Sequence, residues 1–260
     1  MQIPGLFPQW LGHVRLILFS LVLMVTLPSF QPVVHAQEHS MHEMHAGMAM
    51  PMDDSADPVR HAKLLADKRE SEFNHHLAGF FVLLAGMLLL AEGSIRERWP
   101  LFRLFWPVCF LLSGFFVLVW SDTELWPFGP QSWYYGLTHH LEVLQHKTFA
   151  VLLLALGVIE IQRARGVLKT AWSSWVFPVL AVIGSSMLFF HDHRAGMHGP
   201  NPMELMHRIQ SEHFSFAMAG FGIGLSKGLA ETRFPWRAFF EKLFPALLMV
   251  LGALLMVYVE

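Results

Sequence analysis

Three histidines in this chain occupy equivalent places in three stretches of similar design. Each stands at one constant separation before a proline, directly after a polar residue and just before an apolar run of helix length. The histidines are His75, His146 and His213, and the prolines are Pro107, Pro178 and Pro245. Imidazole nitrogen binds copper, zinc and haem iron. Histidines repeated at one depth of a membrane protein therefore predict a bound metal ion or haem there.

Two further histidines extend this set at the ends of the runs that begin with the prolines. His191 and His193 stand at the same separations after Pro178 as Trp120 and Asp122 do after Pro107. A copper or zinc site needs three or four ligands within about 2.0–2.2 Å of the ion. The ligands predicted for the core of the protein are His75, His76, His146, His191, His193 and His213.

A second group of ligands lies nearer the N-terminus. Residues 1–36 are predicted to be a secretory signal peptide, with Arg15 before a short apolar stretch and a cleavage site after Ala36. Residues 37–72 are then an exported, flexible segment and a surface linker, and the charged residues 55–72 of the linker are expected to form a short amphipathic helix on the membrane surface. Thioether sulfur selects Cu(I), and imidazole accepts either oxidation state of copper. The predicted copper ligands of this segment are His39, His42, His45, Met48, Met50 and Met52.

The composition is that of a membrane protein. Hydrophobic residues make up 54% of the chain, charged residues 15%, and the mean hydropathy is +0.43, too apolar for an ordinary soluble domain. A net charge of −2 gives no sign of a nucleic-acid partner. The single cysteine, Cys109, excludes a disulfide within the chain. Metal ligands must therefore be histidine, methionine and carboxylate.

Six apolar runs predict an all-α bundle of six transmembrane helices in residues 73–260. The predicted spans are 75–92, 104–121, 146–162, 174–191, 213–230 and 243–259, each near the roughly 20 residues that a bilayer requires. Arginine and lysine concentrate in the three short loops that join these spans in pairs. The positive-inside rule places those loops in the cytoplasm of a bacterial inner membrane, and the exported segment and C-terminus in the periplasm.

The paired spans predict three similar helical hairpins. The second helix of each begins with an aromatic residue and a proline, which fits the first turn of a helix because its missing N–H is not needed there. A glycine that permits close helix contact follows about two helical turns later, at Gly114, Gly184 and Gly252. At the cytoplasmic end, Glu160 and Lys227 are expected to pair across the bundle or to serve a proton or exit path.

The sequence shows no pattern typical of a hydrolase or an ATP-driven pump. A Cys-x-x-Cys-His haem attachment, a P-loop and a Ser/His/Asp set are all missing. Histidines occur at one predicted depth only, which argues against a two-haem electron carrier and leaves room for a single b-type haem. A non-enzymatic role is therefore expected, and an oxidoreductase if haem is bound.

Two short motifs stand at helix ends, Leu144-Gln145-His146-Lys147 and His191-Asp192-His193. Together with the exported His/Met-rich segment they resemble the CopD-like bacterial copper-resistance membrane proteins, over residues 75–260. The resemblance implies handling of periplasmic copper, by resistance, uptake or delivery to copper chaperones or cuproproteins. Such families commonly have eight spans or an attached copper-binding domain, whereas this chain has six predicted spans and a tail. The alternative functions are a b561-type cytochrome with a single outer haem b and a structural or assembly factor for a membrane complex; zinc is the alternative ion.

Overall fold

The structure, a computed structural model, describes residues 58–190 and 202–259. These belong to the second of two compact units, Asp53–Glu260. The predicted signal peptide, the six His and Met ligands of the exported segment, and His191 and His193 lie outside the described residues. Within them the fold is all-helical, with seven α-helices and no strand.

The helices are labelled in chain order. They are α1 Pro58–Ile95, α2 Phe105–Trp120, α3 Trp133–His139, α4 Leu141–Ala164, α5 Ser173–Met187, α6 Pro202–Ala230 and α7 Arg237–Met256. Short 3₁₀ turns, Pro100–Leu104 and Leu188–Phe190, precede α2 and continue α5. These bounds confirm an all-α architecture and place a helix over each predicted span.

Five of the described segments are long and apolar enough to cross a membrane. They are Leu65–Ile95, Pro100–Trp120, Leu141–Ala164, Ser173–Phe190 and Arg237–Met256. The fifth predicted span, 213–230, falls on α6, which is not among them because His213, Lys227 and several glycines lower its hydropathy. α6 packs between α5 and α7, and Ala217 and Gly220 are buried there. Small residues suit such close helix contact.

The first helix is longer than the sequence analysis expected. Residues 58–72 were assigned to a surface linker, but α1 runs without a break for 38 residues from Pro58. Pro58 stands at the N-terminus of the helix, where proline is tolerated, and the next glycine or proline is Gly79. The linker and the first apolar run are therefore one continuous helix.

Six of the helices close into a ring. Each packs against two neighbours, in the order α1, α2, α4, α5, α6, α7 and back to α1. The predicted hairpins are the adjacent pairs α1–α2, α4–α5 and α6–α7. The contacts between hairpins join α2 to α4, α5 to α6 and α7 to α1, so that the second helix of each hairpin meets the first helix of the next.

Only one of the three prolines stands in a first helical turn. Pro107 is the third residue of α2, whereas Pro178 and Pro245 lie inside α5 and α7. The expectation of a first-turn position was wrong for these two because the residues before them, from Ser173 and Arg237, already adopt the helix. All three prolines are buried, in the contacts between hairpins.

Each of these prolines presents its carbonyl oxygen to a glycine of the next hairpin. A Cβ atom at Gly157 would lie 2.9 Å from the oxygen of Pro107, and one at Gly224 would lie 3.0 Å from that of Pro178. At Gly86 the distance to the oxygen of Pro245 would be 2.7 Å. All three glycines follow the repeated histidine of their hairpin at one constant separation along the chain. Glycine is needed here because any side chain would separate the two helices.

The aromatic residues that precede the three prolines meet at the centre of the ring. The ring centres of Phe177 and Phe244 are 5.2 Å apart, and each is 6.3 Å from that of Trp106. All three side chains are buried. This trio, here called the aromatic floor, fills the interior between the two ends of the bundle.

Candidate functional site

One cavity occupies the interior of the ring on one side of the aromatic floor. Its volume is about 730 Å³, and its wall includes His75, His146 and His213. The end of the bundle that carries these residues is here called the histidine end. Deeper in the cavity the wall is apolar, with Val82, Leu156, Ile223 and Leu248 among its residues. The first helices of the three hairpins, α1, α4 and α6, thus bring the three repeated histidines to one chamber.

His75 and His213 form a close pair. Their ring centres are 6.0 Å apart, and the ring planes are nearly perpendicular at 87°. Two imidazoles that bind one ion at N–metal distances of about 2.0–2.1 Å have their ring centres at a distance similar to that between His75 and His213. The reason is that each ring centre lies farther from the ion than the nitrogen that binds it. The spacing of this pair is therefore compatible with a common ion.

Hydrogen bonds to the backbone orient both rings. The Nδ1 atom of His75 lies 2.8 Å from the carbonyl oxygen of Ser71, and Nδ1 of His213 lies 2.8 Å from that of Ile209. A carbonyl oxygen only accepts, so Nδ1 carries the proton in each ring and the lone pair is on Nε2. Histidines that bind metals commonly donate their other N–H in this way. Residues four positions earlier in each helix thus set the same tautomer twice.

Aromatic side chains surround the pair. The ring of Tyr258 stacks on His75 at 4.1 Å, and Phe216 lies 5.6 Å from His213 between ring centres. The neighbouring His76 does not join the pair in this way, since its Nε2 donates to the carbonyl oxygen of Tyr258 at 2.9 Å. His76 thereby ties α1 to the end of α7.

His146 belongs to a separate ionic cluster. Its Nδ1 lies 3.0 Å from Oδ1 of Asp122, and Nζ of Lys147 lies 2.7 Å from Oδ2 of the same carboxylate. Ser121 also donates to Asp122. Burial alone would raise the pKa of Asp122, but the hydrogen bond from His146 and the charges of His146 and Lys147 lower it below 3.8. Asp122 is therefore an ionised, buried group that holds His146 in place.

The polar residues before two of the histidines bond within their own hairpins. Asn74 donates to the carbonyl oxygen of Ser121 at 3.3 Å, and Gln145 donates to that of Phe190 at 3.1 Å. In the third hairpin Glu212 is an acceptor, and it pairs with Arg208 on α6 instead. In the first two hairpins these bonds fix the rotation of α1 and α4, and with it the direction of the histidine that follows.

The described residues bring together part of the predicted ligand set. His75 and His213 are close to each other, while His76 and His146 have the separate partners given above. Within residues 58–190 and 202–259, no group of three or more His, Cys, Asp or Glu side chains is placed to hold a metal ion. His191 and His193, which the repeat assigns to the same depth, are outside those ranges.

Comparison with known proteins gave no match. No family model, no curated protein and no solved structure matches this chain. A function for this chain is therefore inferred from the contacts at the histidine end.

The opposite end of the bundle carries an ion network. Arg163 contacts Glu160 at 2.8 Å and Glu231 at 2.9 Å, and Lys227 contacts Glu231 at 2.9 Å. Glu160 and Lys227 were expected to pair directly, but Arg163 and Glu231 connect them. Burial would raise the pKa of Glu231, and the charges and hydrogen bonds of Lys227 and Arg163 lower it. Lys227 also lies 5.3 Å from the ring centre of Phe244, so the network touches the aromatic floor.

Sequence reasoning missed the acidic mouth of the cavity. Its wall at the histidine end includes five carboxylates, those of Asp67, Glu70, Asp122, Glu124 and Glu142. Glu124 is exposed to solvent, but partial desolvation of its carboxyl group and, further, the charges of neighbouring carboxylates raise its pKa. These residues come from α1, α4 and the loop after α2, and no local pattern in the sequence joins them. One signal was present in the sequence. A glycine follows each repeated histidine at a constant separation, and it would have indicated which helix faces meet.

Proposed function

We propose that this chain is a multi-pass protein of the bacterial inner membrane that binds copper at its periplasmic face. In this proposal the histidine end faces the periplasm, where the exported His/Met-rich segment captures ions. The C-terminus faces the periplasm as well. The arginine and lysine loops lie on the cytoplasmic side, together with Arg163 and Lys227 near the ends of α4 and α6. The chain would be related in function to the CopD-like proteins.

The observation that carries this proposal is the pair His75 and His213. Two imidazoles from different helices stand 6.0 Å apart in one cavity, and each has its Nδ1–H committed to a backbone carbonyl. Nε2 of each ring is then the nitrogen that would bind an ion. A structural role for two such histidines does not require the same tautomer in both.

The donor chemistry favours copper over zinc among the described residues. Structural zinc sites are almost always four-coordinate, and catalytic sites supply three protein ligands. Cu(I) tolerates fewer ligands, and nitrogen and thioether donors suit it. With two described imidazoles, and methionines in the exported segment, Cu(I) is the better fit. His193 corresponds in the repeat to Asp122, and we propose it as a further ligand.

We infer that the three hairpins are repeats of one ancestral unit. The histidine, the glycine that contacts a proline, and the aromatic-proline pair keep the same spacing in every unit. The proline–glycine contacts occur in the same cyclic order between all three units. Chance similarity of apolar helices does not produce the same contact three times. Six spans follow from this inference, with α6 as the fifth.

A single haem b is the competing proposal. The cavity volume, about 730 Å³, is far larger than one ion requires and lies in the range typical of ligand sites. However, haem carries two propionates, and the carboxylates at the cavity mouth repel them. A visible absorption spectrum of the purified protein separates the two, because a Soret band requires haem. An assembly role predicts neither copper nor a Soret band.

X-ray absorption at the copper edge tests the copper proposal. The protein would be loaded with Cu(I) after replacement of the six tail ligands, His39, His42, His45, Met48, Met50 and Met52. We expect nitrogen ligands at about 2.0 Å, and their loss when His75 and His213 are both changed to glutamine. His139→Gln is the matched control, because His139 is exposed and stacks on Tyr135 instead. A spectrum unaffected by the double substitution would overturn the proposal.

A further inference from the structure

The cavity is much deeper than an ion site at the histidine end requires. His146 and Leu156 both line it and are ten residues apart on α4, which corresponds to about 15 Å along the helix. Below the histidines its wall is made chiefly of aliphatic and aromatic side chains. The aromatic floor closes the far end. The lower cavity, here called the shaft, is therefore an apolar chamber.

A polar group in the wall of the shaft lacks a partner among the described residues. Ser113 on α2 is fully buried, and its hydroxyl has no hydrogen-bond partner in that part of the chain. A buried hydroxyl without a partner is energetically unfavourable. By contrast, Ser185, which also lines the cavity, donates to the carbonyl oxygen of Ala181. Ser113 is therefore a single polar point in a wall that is otherwise chiefly apolar.

The mouth of the cavity selects ligands by charge. Its five carboxylates are opposed by Lys63 in the wall and by Lys147, which pairs with Asp122. With the positive charge of His146 that lowers the pKa of Asp122, five negative and three positive charges leave a net charge of −2 among the described residues at the mouth. Asp67 and Glu124 are exposed to solvent at this rim. Clefts lined by one sign of charge concentrate molecules of the opposite sign and repel those of the same sign.

We propose that the cavity binds amphipathic cations, with a positively charged head at the carboxylates of the mouth and an apolar body in the shaft. Alkylammonium compounds and apolar amines have this chemistry. The volume of about 730 Å³ accommodates a molecule of that size. This inference does not depend on the copper proposal, because it uses the shaft and the mouth, and it is tested in metal-free protein.

Binding of a labelled alkylammonium compound to the full-length protein tests the inference. Radiolabelled decyltrimethylammonium would be mixed with protein in lipid nanodiscs, and empty nanodiscs would correct for partition into lipid. We expect saturable binding of one molecule per chain. Unlabelled decyltrimethylammonium should displace it at least about tenfold more effectively than decanoate, which has the opposite charge. Equal displacement by decanoate, or no saturable binding, would overturn the proposal.

A pair of substitutions at one glycine locates the bound molecule. Gly184 lines the shaft, and a Cβ there would make only ordinary contacts, at 3.6 Å from Leu152 and Phe149. Gly184→Leu fills the shaft and should weaken binding at least about tenfold, while Gly184→Ala should retain it. Unchanged binding by a folded Gly184→Leu protein would contradict the shaft as the site.

Charge substitutions at the rim give a second measurement that does not disturb the packing. Asp67→Asn combined with Glu124→Gln should weaken the binding of decyltrimethylammonium severalfold. The concentration of neutral decanol that displaces the bound compound should not change, because decanol carries no charge. Glu97→Gln is the control, since Glu97 is exposed beyond the predicted cytoplasmic end of the first span. If the rim variant and the control bind the cation alike, the carboxylates do not select the ligand.

Discussion

Asp122 shows how one buried carboxylate organises its surroundings. It receives Lys147 at 2.7 Å and His146 at 3.0 Å, and its side chain is 4% exposed. Two partners and the hydroxyl of Ser121 offset the cost of removing this charge from water. The cluster joins the end of α2 to the start of α4, which is the contact between the first and second hairpins.

Substitution of Asp122 should be strongly destabilising. Asp122→Asn leaves the Lys147 ammonium buried without its counter-charge, and such a loss costs about 3–5 kcal/mol. Thermal unfolding in detergent measures the effect. Glu241→Gln is the control, because Glu241 pairs with Arg237 at 2.7 Å but both side chains are at least half exposed. Exposed pairs contribute about 0–1 kcal/mol. Equal melting temperatures of the two variants would contradict a buried ion pair.

The stability from Asp122 should also depend on pH in a defined direction. Its pKa in the folded protein is lowered from the ordinary value of 3.8, chiefly by His146 and Lys147 acting against burial. Its contribution is therefore complete above pH 3.8 and is lost as the pH falls through the lowered value. The melting temperatures of the native protein and Asp122→Asn should differ by more at pH 5 than at pH 3, because Asp122 becomes protonated between these values. A difference that grows from pH 5 to pH 3 would contradict the lowered pKa of Asp122.

At the scale of the helices, glycine and proline set the contacts between hairpins. Gly86 on α1 contacts the carbonyl of Pro245 on α7, and the same contact recurs at Gly157 and Gly224. Close approach of backbones replaces the hydrophobic driving force that lipid removes from helix association. The rotation of α1, α4 and α6 about their axes follows from these contacts, and with it the inward direction of the repeated histidines.

Two glycines of α1 allow a matched test. A Cβ at Gly86 would lie 2.7 Å from the oxygen of Pro245 and 3.0 Å from the amide nitrogen of Met249, whereas one at Gly93 would meet nothing within 4 Å. Gly86→Ala should cost about 1–3 kcal/mol through overpacking. Gly93→Ala should be neutral or stabilising by about 0.5–1 kcal/mol, since alanine favours the helix. Thermal unfolding of both variants measures the difference in stability. A Gly86→Ala protein as stable as the native protein would contradict the close contact with Pro245.

The sequence predicted the helices better than their ends. Apolar runs located a helix over all six spans because length and hydropathy are local properties. The continuity of α1 from Pro58 was missed, since the charged residues suggested a separate surface helix, although no glycine or proline stands between Pro58 and Gly79. Pro178 and Pro245 were assigned to first turns because sequence alone does not show how far a helix extends before a proline.

At the scale of the whole molecule, the orientation of the protein in the membrane determines which compartment the histidine end faces. In the proposed topology the loop with Tyr134 faces the periplasm and the loop with Lys169 faces the cytoplasm. Tyr134 is 78% exposed and Lys169 is also exposed. An impermeant maleimide added to intact spheroplasts should label Tyr134→Cys and leave Lys169→Cys unlabelled until the membrane is opened. Cys109 gives little background because it is 4% exposed. The reverse labelling pattern would show that the protein has the opposite orientation in the membrane.

The site was predictable only in part. Spacing to a shared proline identified His75, His146 and His213 as one set, and all three line one cavity. The sequence did not separate them further, although His146 pairs with Asp122 while His75 faces His213. That division depends on which neighbour each helix meets in the closed ring, a long-range property. The cavity and its acidic mouth likewise arise only when α1, α4 and the loop after α2 converge.

Copper stoichiometry tests the central claim most directly. The protein with the six tail ligands replaced would be saturated with Cu(I) under reducing conditions, washed, and its metal content measured by mass spectrometry. The proposal predicts one copper ion per chain, and a fall to near zero when His75 and His213 are both changed to glutamine. His139→Gln should retain the ion. Copper content that is the same with and without His75 and His213 would contradict a site at this pair.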